Sequence, residues 1–312
     1  MPSSSSASPS PSSPTTASGA PRAGGAGRLG DRTVSRVGYG AMQLHRMTED
    51  RAGAVALLRR AVELGIDHID TAQFYGDGFS NELIREAIRP EDGVTVVSKV
   101  GATPDPGGPA PMRYAQHPAD LRADVEANLK SLGLDRIPLV NLRRPTTSGF
   151  GLSASPDQMV DLDDQLAEMS SLRDEGKIEA IGLSTVTLDD LNRALPLGIA
   201  CVQNAYSLLA REDEELARAC TAHGIAWVPY FPLGSAFPDL PKVNEHPVVQ
   251  EVARGLGATP SQTGLAWLLH HTPATLLIPG TADPSHLEAN VAAGAIRLDA
   301  EALAALDSVR PG

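Results

Sequence analysis

Short apolar segments recur along the chain and alternate with longer stretches of helical periodicity. These segments are bounded by turn residues and do not alternate polar with apolar positions, as expected of strands buried on both faces. In chain order they are Val37–Met42, Ile66–Asp70, Val94–Lys99, Leu139–Leu142, Ala180–Ser184, Cys201–Asn204, Ala226–Tyr230 and Leu276–Pro279. We predict that each segment forms a parallel β-strand.

Apolar residues recur at helical spacing between these segments. Arg51–Leu64 places Val55, Leu58 and Val62 on one face, and Gly65 is a suitable stop. The other predicted helices are Ala119–Leu132, Met159–Glu175, Leu188–Leu195, Glu212–His223, Ser261–His270 and Ser285–Ala293. Strands that alternate with helices in this way predict an α/β protein with a parallel, eight-stranded (β/α)8 TIM barrel.

A doubly wound sheet is the competing architecture. If it bound a dinucleotide, it would usually carry the GxGxxG pattern after its first strand. The first strand here has Gly38 and Gly40, but Gln43 stands where the third glycine would be. The P-loop, HExxH and GxSxG patterns are also missing from the sequence. The barrel is therefore the favoured fold.

The first 27 residues consist almost entirely of Ser, Pro, Ala, Thr and Gly, with Arg22 as their one charged residue. They lack the apolar stretch of a signal peptide. Such a segment buries too little apolar surface to offset the entropy lost on ordering. We expect a disordered tail over residues 1–27 and a single barrel domain over residues 28–312.

The overall charge and the cysteine content restrict the partners. A formal net charge of -12 disfavours nucleic acid and anionic membranes, because both require clustered Lys and Arg. The two cysteines, Cys201 and Cys220, form neither a CxxC pair nor a zinc-ligand pattern. No apolar run approaches the roughly 18 residues of a membrane span. We expect a cytoplasmic protein that binds no metal, nucleic acid or membrane.

Reactive side chains follow the second and third predicted strands. Asp70 and Lys99 end these two strands, and Tyr75 follows Asp70 closely enough to fold back over the same place. In a (β/α)8 barrel, the C-terminal ends of the strands carry the active site. A structural ion pair beside an aromatic wall is the simpler interpretation, because such pairs also occur in purely structural networks.

The three side chains together also suit general acid catalysis. A phenol is a poor acid near neutrality, because its free pKa is about 10. A nearby ammonium favours the phenolate and lowers that value, and a carboxylate behind the ammonium keeps it charged. Such a phenol can protonate a carbonyl oxygen while hydride reaches the carbon.

Several segments resemble motifs of the aldo-keto reductase family. Gly65–Gly76 resembles the signature around the catalytic Asp and Tyr, and Val97–Val100 the segment with the catalytic Lys. Gly176–Ser184 is similar to the family's strand-five motif, and Ile278–Asn290 to its adenosine-phosphate segment. The segments occur in the family's order from about Leu29 onwards, so chance similarity is a poor explanation for the set.

The resemblance implies that NADPH lies extended across the barrel mouth, without a Rossmann domain. For the cofactor it implies Gly40, Met42, Asp70, Ser184, Thr185, Gln203, Tyr206, Phe231, Leu233, Gly234, Gly280, Thr281, His286 and Asn290, and for the substrate Met42, Phe74, Tyr75 and Arg143. Ser184, Thr185 and Gln203 would hold the nicotinamide carboxamide, and Tyr206 would stack on its ring. The segment from Phe231 to Gly234 would follow the pyrophosphate. Gly280, Thr281 and His286 would surround the 2′-phosphate, and Asn290 would contact adenine. Core packing is the simpler alternative for Tyr206 and Phe231.

The sequence departs from the family pattern in three places. Arg143 stands where the family usually has His; a permanent five-donor cation can polarise a carbonyl but cannot imitate a neutral imidazole. Thr185 replaces a common Asn. The 2′-phosphate segment offers His286 and Asp283 instead of Arg or Lys, which weakens the preference for NADPH over NADH.

Arg143 also resembles its counterpart in a subgroup that includes bacterial pyridoxal reductases, as does the segment Phe231–Gly234. The resemblance implies reduction of a small-molecule aldehyde or ketone by NADPH, with catalysis by Asp70, Tyr75, Lys99 and Arg143. Pyridoxal is a candidate substrate, since Arg143 can pair with the phenolic oxygen beside its aldehyde. We expect a monomer or weak homo-oligomer. The alternative is a catalytically weak, cofactor-sensing subunit of the same fold.

Overall fold

The computed structural model describes residues 15–17, 19–105, 107–108, 112–145, 154–234 and 241–310. The strands are β1 (Ala26–Leu29), β2 (Arg32–Ser35), β3 (Tyr39–Gly40), β4 (His68–Asp70), β5 (Thr95–Val100), β6 (Ala102–Pro104), β7 (Met112–Tyr114), β8 (Ile137–Arg143), β9 (Ile178–Ser184), β10 (Cys201–Gln203) and β11 (Ala226–Trp227). The helices are α1 (Arg51–Glu63), α2 (Phe79–Ala87), α3 (Pro118–Leu132), α4 (Leu162–Asp174), α5 (Leu188–Ala194), α6 (Glu214–Ala222), α7 (Pro247–Leu256), α8 (Pro260–His271), α9 (Pro284–Ala293) and α10 (Ala300–Asp307).

A parallel sheet forms the centre of the molecule. Its strands follow the order β3, β4, β5, β8, β9, β10, β11. Isolated parallel bridges join Val37 to Leu277 at one edge and Trp227 to Thr275 at the other. The backbone N–H of Gly38 donates to the Leu277 carbonyl at 2.7 Å. The segment around Leu277 is therefore the eighth strand, which closes the sheet, and the predicted (β/α)8 barrel is confirmed.

The barrel has an inner and an outer apolar core. Val97, Leu139 and Leu276 belong to the cluster inside the barrel. Ile69 of β4 and Leu58 of α1 belong to the larger cluster between the sheet and its helices. Successive residues on a strand face opposite sides, so both faces of these strands are buried. This is why the strand segments show no alternation of polar and apolar residues.

The folded region begins before the expected boundary at residue 27. Ala23 is buried, and its backbone N–H donates to the Gly65 carbonyl at 3.0 Å. Arg22 binds the Asp67 carboxylate at 2.8 Å, and β1 pairs with β2 as an antiparallel hairpin. Residues 15–17 and 19–27 are thus part of the structure, which corrects the tail boundary. The rest of the predicted tail lies outside the described residues.

The seven predicted helices are present with shifted ends, and α2, α7 and α10 are additional. Among the described residues, no helix combines the length and the apolar character needed to cross a membrane.

Candidate active site

Asp70, Tyr75 and Lys99 meet at the C-terminal ends of β4 and β5. The Lys99 Nζ contacts Asp70 Oδ1 and also donates to the Thr71 carbonyl at 3.0 Å and to the Tyr75 hydroxyl at 3.2 Å. Asp70 and Lys99 are 2% and 5% exposed, whereas Tyr75 is only half-buried. The structure thus brings the three predicted residues together, with the phenol on the solvent side of a buried ion pair.

The turn after β4 folds Tyr75 back over the barrel. Gly76, Asp77 and Gly78 all have positive φ angles, of 64°, 52° and 86°. Glycine adopts this left-handed conformation without a steric penalty. The turn returns the chain to the start of α2 and leaves Tyr75 beside the end of β5. The sequence Tyr75–Gly78 therefore determines the position of the phenol.

The charge of Lys99 depends on its partners. Burial opposes the ammonium form, but Asp70 and then Tyr75 outweigh burial and raise the pKa of Lys99 above its usual value. A buried charge is tolerated only when it is paired and hydrogen-bonded. Lys99 therefore presents a stable positive charge to the Tyr75 hydroxyl.

Gln203, at the end of β10, binds the other oxygen of the same carboxylate. Its Nε2 donates to Asp70 Oδ2 at 2.6 Å. Its Oε1 is buried and accepts no hydrogen bond from any described residue. A buried acceptor without a donor has a large desolvation cost. This atom suits a ligand N–H2 group such as that of a nicotinamide carboxamide, so the site fits the expected cofactor.

Ser184 and Thr185 end the neighbouring strand. The backbone N–H of Thr185 donates to the Gln203 carbonyl at 2.9 Å, and Thr185 has a positive φ of 60°. Its hydroxyl lies 3.3 Å from the hydroxyl of Tyr230, at the end of the predicted seventh strand. Ser184, Thr185 and Gln203 therefore share one side of the mouth, as expected.

Arg143 lies on the wall of the same mouth. Its guanidinium carbon is 5.9 Å from the centre of the Phe74 ring. The Phe74 ring contacts that of Tyr75 edge-on, with a centroid distance of 5.0 Å. The Nε of Arg143 is buried and has no hydrogen-bond partner among the described residues. Arg143 thus brings an incompletely satisfied cation close to the phenol.

The expected role of Tyr206 does not fit the structure. Tyr206 is 1% exposed, and its hydroxyl donates to Glu214. Its ring packs against those of Trp227, Trp267 and His271. A ring enclosed in this way has no open face for a nicotinamide, so Tyr206 is a core residue, which was the simpler alternative.

Tyr230 is the aromatic residue that the sequence analysis missed. It is half-buried, and burial raises the pKa of its hydroxyl while Thr185 and Arg143 oppose that shift. Its ring meets Phe231 edge-on at 5.0 Å. Tyr230 is the last residue of the segment Ala226–Tyr230, so the rule that selected Asp70 and Lys99 also selects it.

The segment after Tyr230 turns sharply. Phe231 and Gly234 have positive φ angles of 56° and 78°. A Cβ at Gly234 would lie 2.1 Å from the Pro241 carbonyl oxygen, so only glycine fits there. Leu233 packs toward α8, because a Cβ at Gly264 would lie 2.9 Å from its Cδ2. The turn thus places Phe231 beside Tyr230, whereas Leu233 packs against the outer apolar core.

The first and eighth strands meet at the remaining expected residues. A Cβ at Gly40 would lie 2.4 Å from the Ile278 carbonyl oxygen, and one at Gly280 would lie 2.6 Å from the Gly40 carbonyl oxygen. The Tyr39 hydroxyl donates to the Thr281 carbonyl at 2.6 Å. Met42, in the 3-10 helix Ala41–Arg46 that follows β3, is 36% exposed.

His286 and Asn290 lie on α9, which follows the eighth strand. The Asp283 carboxylate caps this helix and accepts from the backbone N–H of Ser285 at 2.7 Å and of His286 at 3.3 Å. The hydroxyl and N–H of Ser285, followed by His286, lower the pKa of Asp283. An anionic side chain therefore already occupies the N-terminus of α9, where a phosphate was expected.

Comparison with known proteins identifies the family. The model of the aldo/keto reductase family matches residues 36–311. The chain belongs to the aldo/keto reductase family. Within that family, pyridoxine 4-dehydrogenase of Escherichia coli (strain K12) is 40% identical over 288 residues, which cover 90% of this chain and 96% of that protein.

Solved structures of the family have the same fold. An aldo/keto reductase from Klebsiella pneumoniae in complex with NADP and acetate superposes with a TM-score of 0.75 at 28% identity, covering 90% of this chain and 94% of the other. An aldo-keto reductase from the same organism in complex with NADPH gives 0.75 at 27% identity, covering 90% and 93%.

Proposed function

We propose that this protein reduces an aldehyde or ketone to an alcohol with NADPH. The contact of the Tyr75 hydroxyl with Lys99, itself paired with Asp70, is the observation that carries the proposal. When bound, NADPH supplies the hydride. Tyr75 donates the proton to the carbonyl oxygen, and Lys99 stabilises the phenolate that remains. Asp70 keeps Lys99 charged. Water then returns a proton to Tyr75, and the carbonyl has gained one hydride and one proton.

Arg143 completes the polarisation of the carbonyl. Negative charge develops on the substrate oxygen as hydride arrives, and a nearby fixed cation stabilises that charge. The guanidinium stays charged at every working pH. In the reverse direction, Tyr75 would accept a proton from an alcohol. A reduced cofactor pool in the cell favours reduction.

For the cofactor, we propose the sites expected from the sequence with one replacement. Ser184, Thr185 and Gln203 hold the carboxamide, and Tyr230 replaces Tyr206 beside the nicotinamide ring. The rest of the set is Gly40 and Met42 at the first strand, Asp70 at the end of the second, Phe231, Leu233 and Gly234 along the pyrophosphate, Gly280, Thr281 and His286 at the 2′-phosphate, and Asn290 at adenine. The orphaned Gln203 Oε1 supports the carboxamide site.

Tyr75→Phe tests the reaction. It removes only the proton donor, so we expect kcat to fall roughly 100- to 10,000-fold while the Kd of NADPH stays unchanged. NADPH oxidation with a panel of aldehydes measures kcat, and nicotinamide fluorescence measures the Kd. If the parent protein binds NADPH but reduces no aldehyde in the panel, the sensor-subunit alternative replaces this proposal.

We further propose that the substrate is pyridoxal, or pyridoxine in the oxidative direction. The name of the E. coli relative and the unpartnered Nε of Arg143 support this choice. The phenolate oxygen beside the aldehyde of pyridoxal gives the guanidinium an anionic partner. Hydrogen bonds to charged groups contribute roughly 1.5–3 kcal/mol.

Arg143→Met tests this assignment. We expect it to lower kcat/KM for pyridoxal about tenfold or more beyond its effect on pyridine-4-carboxaldehyde, which lacks the phenolic oxygen. An equal loss of kcat/KM for the two aldehydes would mean that Arg143 polarises the carbonyl but does not recognise the phenolic oxygen. Slow turnover of pyridoxal beside rapid reduction of other aldehydes would exclude it as the substrate.

We also propose that the protein acts in the cytoplasm as a monomer or weak homo-oligomer. Both cysteines are buried and unpaired, which supports a reducing compartment. Cell fractionation and light scattering after size-exclusion chromatography test the two statements.

A further inference from the structure

Polar residues next to Asp70 and Lys99 face away from the barrel interior. Thr71 follows Asp70 and Ser98 precedes Lys99, and neighbouring strand residues point to opposite faces. Both side chains are fully buried, at 0% exposure, between the sheet and helices α2 and α3. This interface is otherwise the large apolar core of the protein. A hydroxyl in such a place needs a hydrogen-bond partner.

Two asparagines supply these partners. The Thr71 hydroxyl donates to Asn81 Oδ1 at 2.7 Å, and the Ser98 hydroxyl donates to Asn128 Oδ1 at 2.5 Å. Asn81 Nδ2 donates to Asn128 Oδ1 at 3.0 Å, so the two amides are joined. We call Asn81, on α2, and Asn128, on α3, the asparagine clamp; both are 0% exposed.

A third connection reaches the turn that carries Tyr75. Gln73, two residues before Tyr75, accepts from Asn81 Nδ2 at 3.2 Å through its Oε1. The same oxygen accepts from the Ser131 hydroxyl at 2.7 Å. The asparagine clamp is therefore bonded to a near neighbour of each of the three residues that meet at the site.

Stability alone does not account for this network. Replacing both partners of a buried hydrogen bond by apolar groups of similar shape can leave stability nearly unchanged. The network instead specifies one geometry, because each hydroxyl and amide forms hydrogen bonds only in certain directions. The network also contacts the site directly, since the Thr71 carbonyl accepts a hydrogen bond from Lys99 Nζ at 3.0 Å.

We propose that Asn81 and Asn128 are positioning residues, which set the placement of Lys99 relative to Tyr75 from behind the sheet. This inference rests on the proposed function. The clamp contacts neither substrate nor cofactor. It acts through Thr71 and Ser98 by fixing the ends of β4 and β5 against each other.

Thr71→Val and Ser98→Ala, singly and together, test the proposal. Each removes one hydroxyl that donates to the asparagine clamp and leaves Asp70, Tyr75 and Lys99 in place. We expect kcat to fall roughly ten- to a hundredfold in the double variant, because misplacement by about 1 Å costs on that order. The KM of NADPH should stay the same. The pH profile of kcat should shift, since burial lowers the pKa of Lys99 and its contacts with Asp70 and Tyr75 raise it, and these contacts would change in length.

The controls separate positioning from packing. Thr71→Ser keeps the hydroxyl and should restore both kcat and the pH profile. Thr275→Val removes a buried hydroxyl that has no hydrogen-bond partner among the described residues, so it should leave both unchanged.

If the Thr71→Val and Ser98→Ala variants lose thermal stability but keep the parent's kcat and pH profile, the network is structural and the inference is wrong. An inactive parent protein would instead overturn the proposed function itself.

Discussion

Gln203 Nε2 lies 2.6 Å from Asp70 Oδ2, while the other oxygen of that carboxylate contacts Lys99. A single buried carboxylate thus joins the proton-donating residues to the side chain expected to bind the nicotinamide. The residues come from β4, β5 and β10, so the link crosses the barrel interior. We therefore expect a change at Gln203 to affect the Asp70–Lys99 pair as well as cofactor binding.

Gln203→Met should weaken both NADPH binding and the proton transfer that depends on Asp70 and Lys99. Methionine has a similar length but neither donates to Asp70 nor offers the free Oε1. We expect the Kd of NADPH to rise roughly two- to tenfold, as for a lost neutral hydrogen bond, with a further decrease in kcat. Fluorescence titration and steady-state kinetics measure the two effects. Gln250→Met, on the exposed surface of α7, is the matched control; NADPH binding to Gln203→Met as tight as to the parent would contradict the assignment.

Asp70→Asn should make activity sensitive to alkaline pH. Asp70 is the main influence that raises the pKa of Lys99 against burial. Without it, burial prevails and the amine loses its proton at lower pH. We expect the alkaline limb of the kcat profile to move to lower pH in Asp70→Asn. Asp67→Asn removes a buried carboxylate that binds Arg22 and Ser35 instead, and should leave the limb in place.

The Asp70–Lys99 pair should also make the stability of the protein depend on pH. The pKa of folded Lys99 is raised, so the stability from the pair is present below the usual lysine value of 10.5 and is lost as pH rises through the raised pKa. Chemical unfolding across alkaline pH should show this loss in the parent protein. A parent and an Asp70→Asn variant with parallel curves would disprove it.

Asp283→Asn should increase the preference for NADPH over NADH. The Asp283 carboxylate lies at the N-terminus of α9, where it would repel the 2′-phosphate of NADPH bound as proposed. Asparagine caps helices about as well, so the helix should persist. We expect the ratio of the Kd values, NADH over NADPH, to rise several-fold, because the substitution removes a negative charge from the helix N-terminus. Asp299→Asn changes the cap of α10 and should leave the ratio unchanged; an unchanged ratio in Asp283→Asn would place the phosphate elsewhere.

His68 should make the protein less stable in mild acid. Burial lowers the pKa of His68 from 6.5 to about 4, although Asp67 and Asp70 oppose the shift. Between these pH values the unfolded chain binds a proton that the folded protein does not. The contribution to stability is therefore present above pH 6.5 and is lost as pH falls toward 4, by at most about 1.4 kcal/mol per pH unit for one proton.

His68→Gln should remove this part of the slope. Urea unfolding at several pH values measures it, and His223→Gln on the exposed surface should keep the parent's slope. A His68→Gln variant with the same slope as the parent would refute the assignment.

The barrel could be predicted from the sequence because its strands are buried on both faces and therefore appear as continuous apolar runs. The helix α2 was missed although Leu83, Ile84 and Ala87 lie on its buried face, because it has only 9 residues and directly follows the glycine turn at Gly76–Gly78. The β1–β2 hairpin was also missed. Ala26–Leu29 continues the Gly- and Ala-rich stretch before it, and its pairing with Arg32–Ser35 is a contact that the local sequence does not reveal.

The candidate site was predictable from strand ends for Asp70 and Lys99, whereas Arg143 was predicted only from the family resemblance. The choice of Tyr206 instead of Tyr230 shows what strand ends alone do not reveal. Both tyrosines follow apolar strands, and only the tertiary contacts of Tyr206 with Trp227 and Glu214 show that its ring is enclosed. Enclosure depends on distant residues, which the local pattern does not contain.

The pairing of Val37 with Leu277 joins the beginning of the barrel to its last strand. During synthesis, the ribosome must release almost the whole chain before this contact can form. Until then, the edge of β3 is exposed to other nascent chains, and contacts so distant in sequence form slowly. We therefore expect closure of the barrel to be among the last steps of folding, after the other strands have paired.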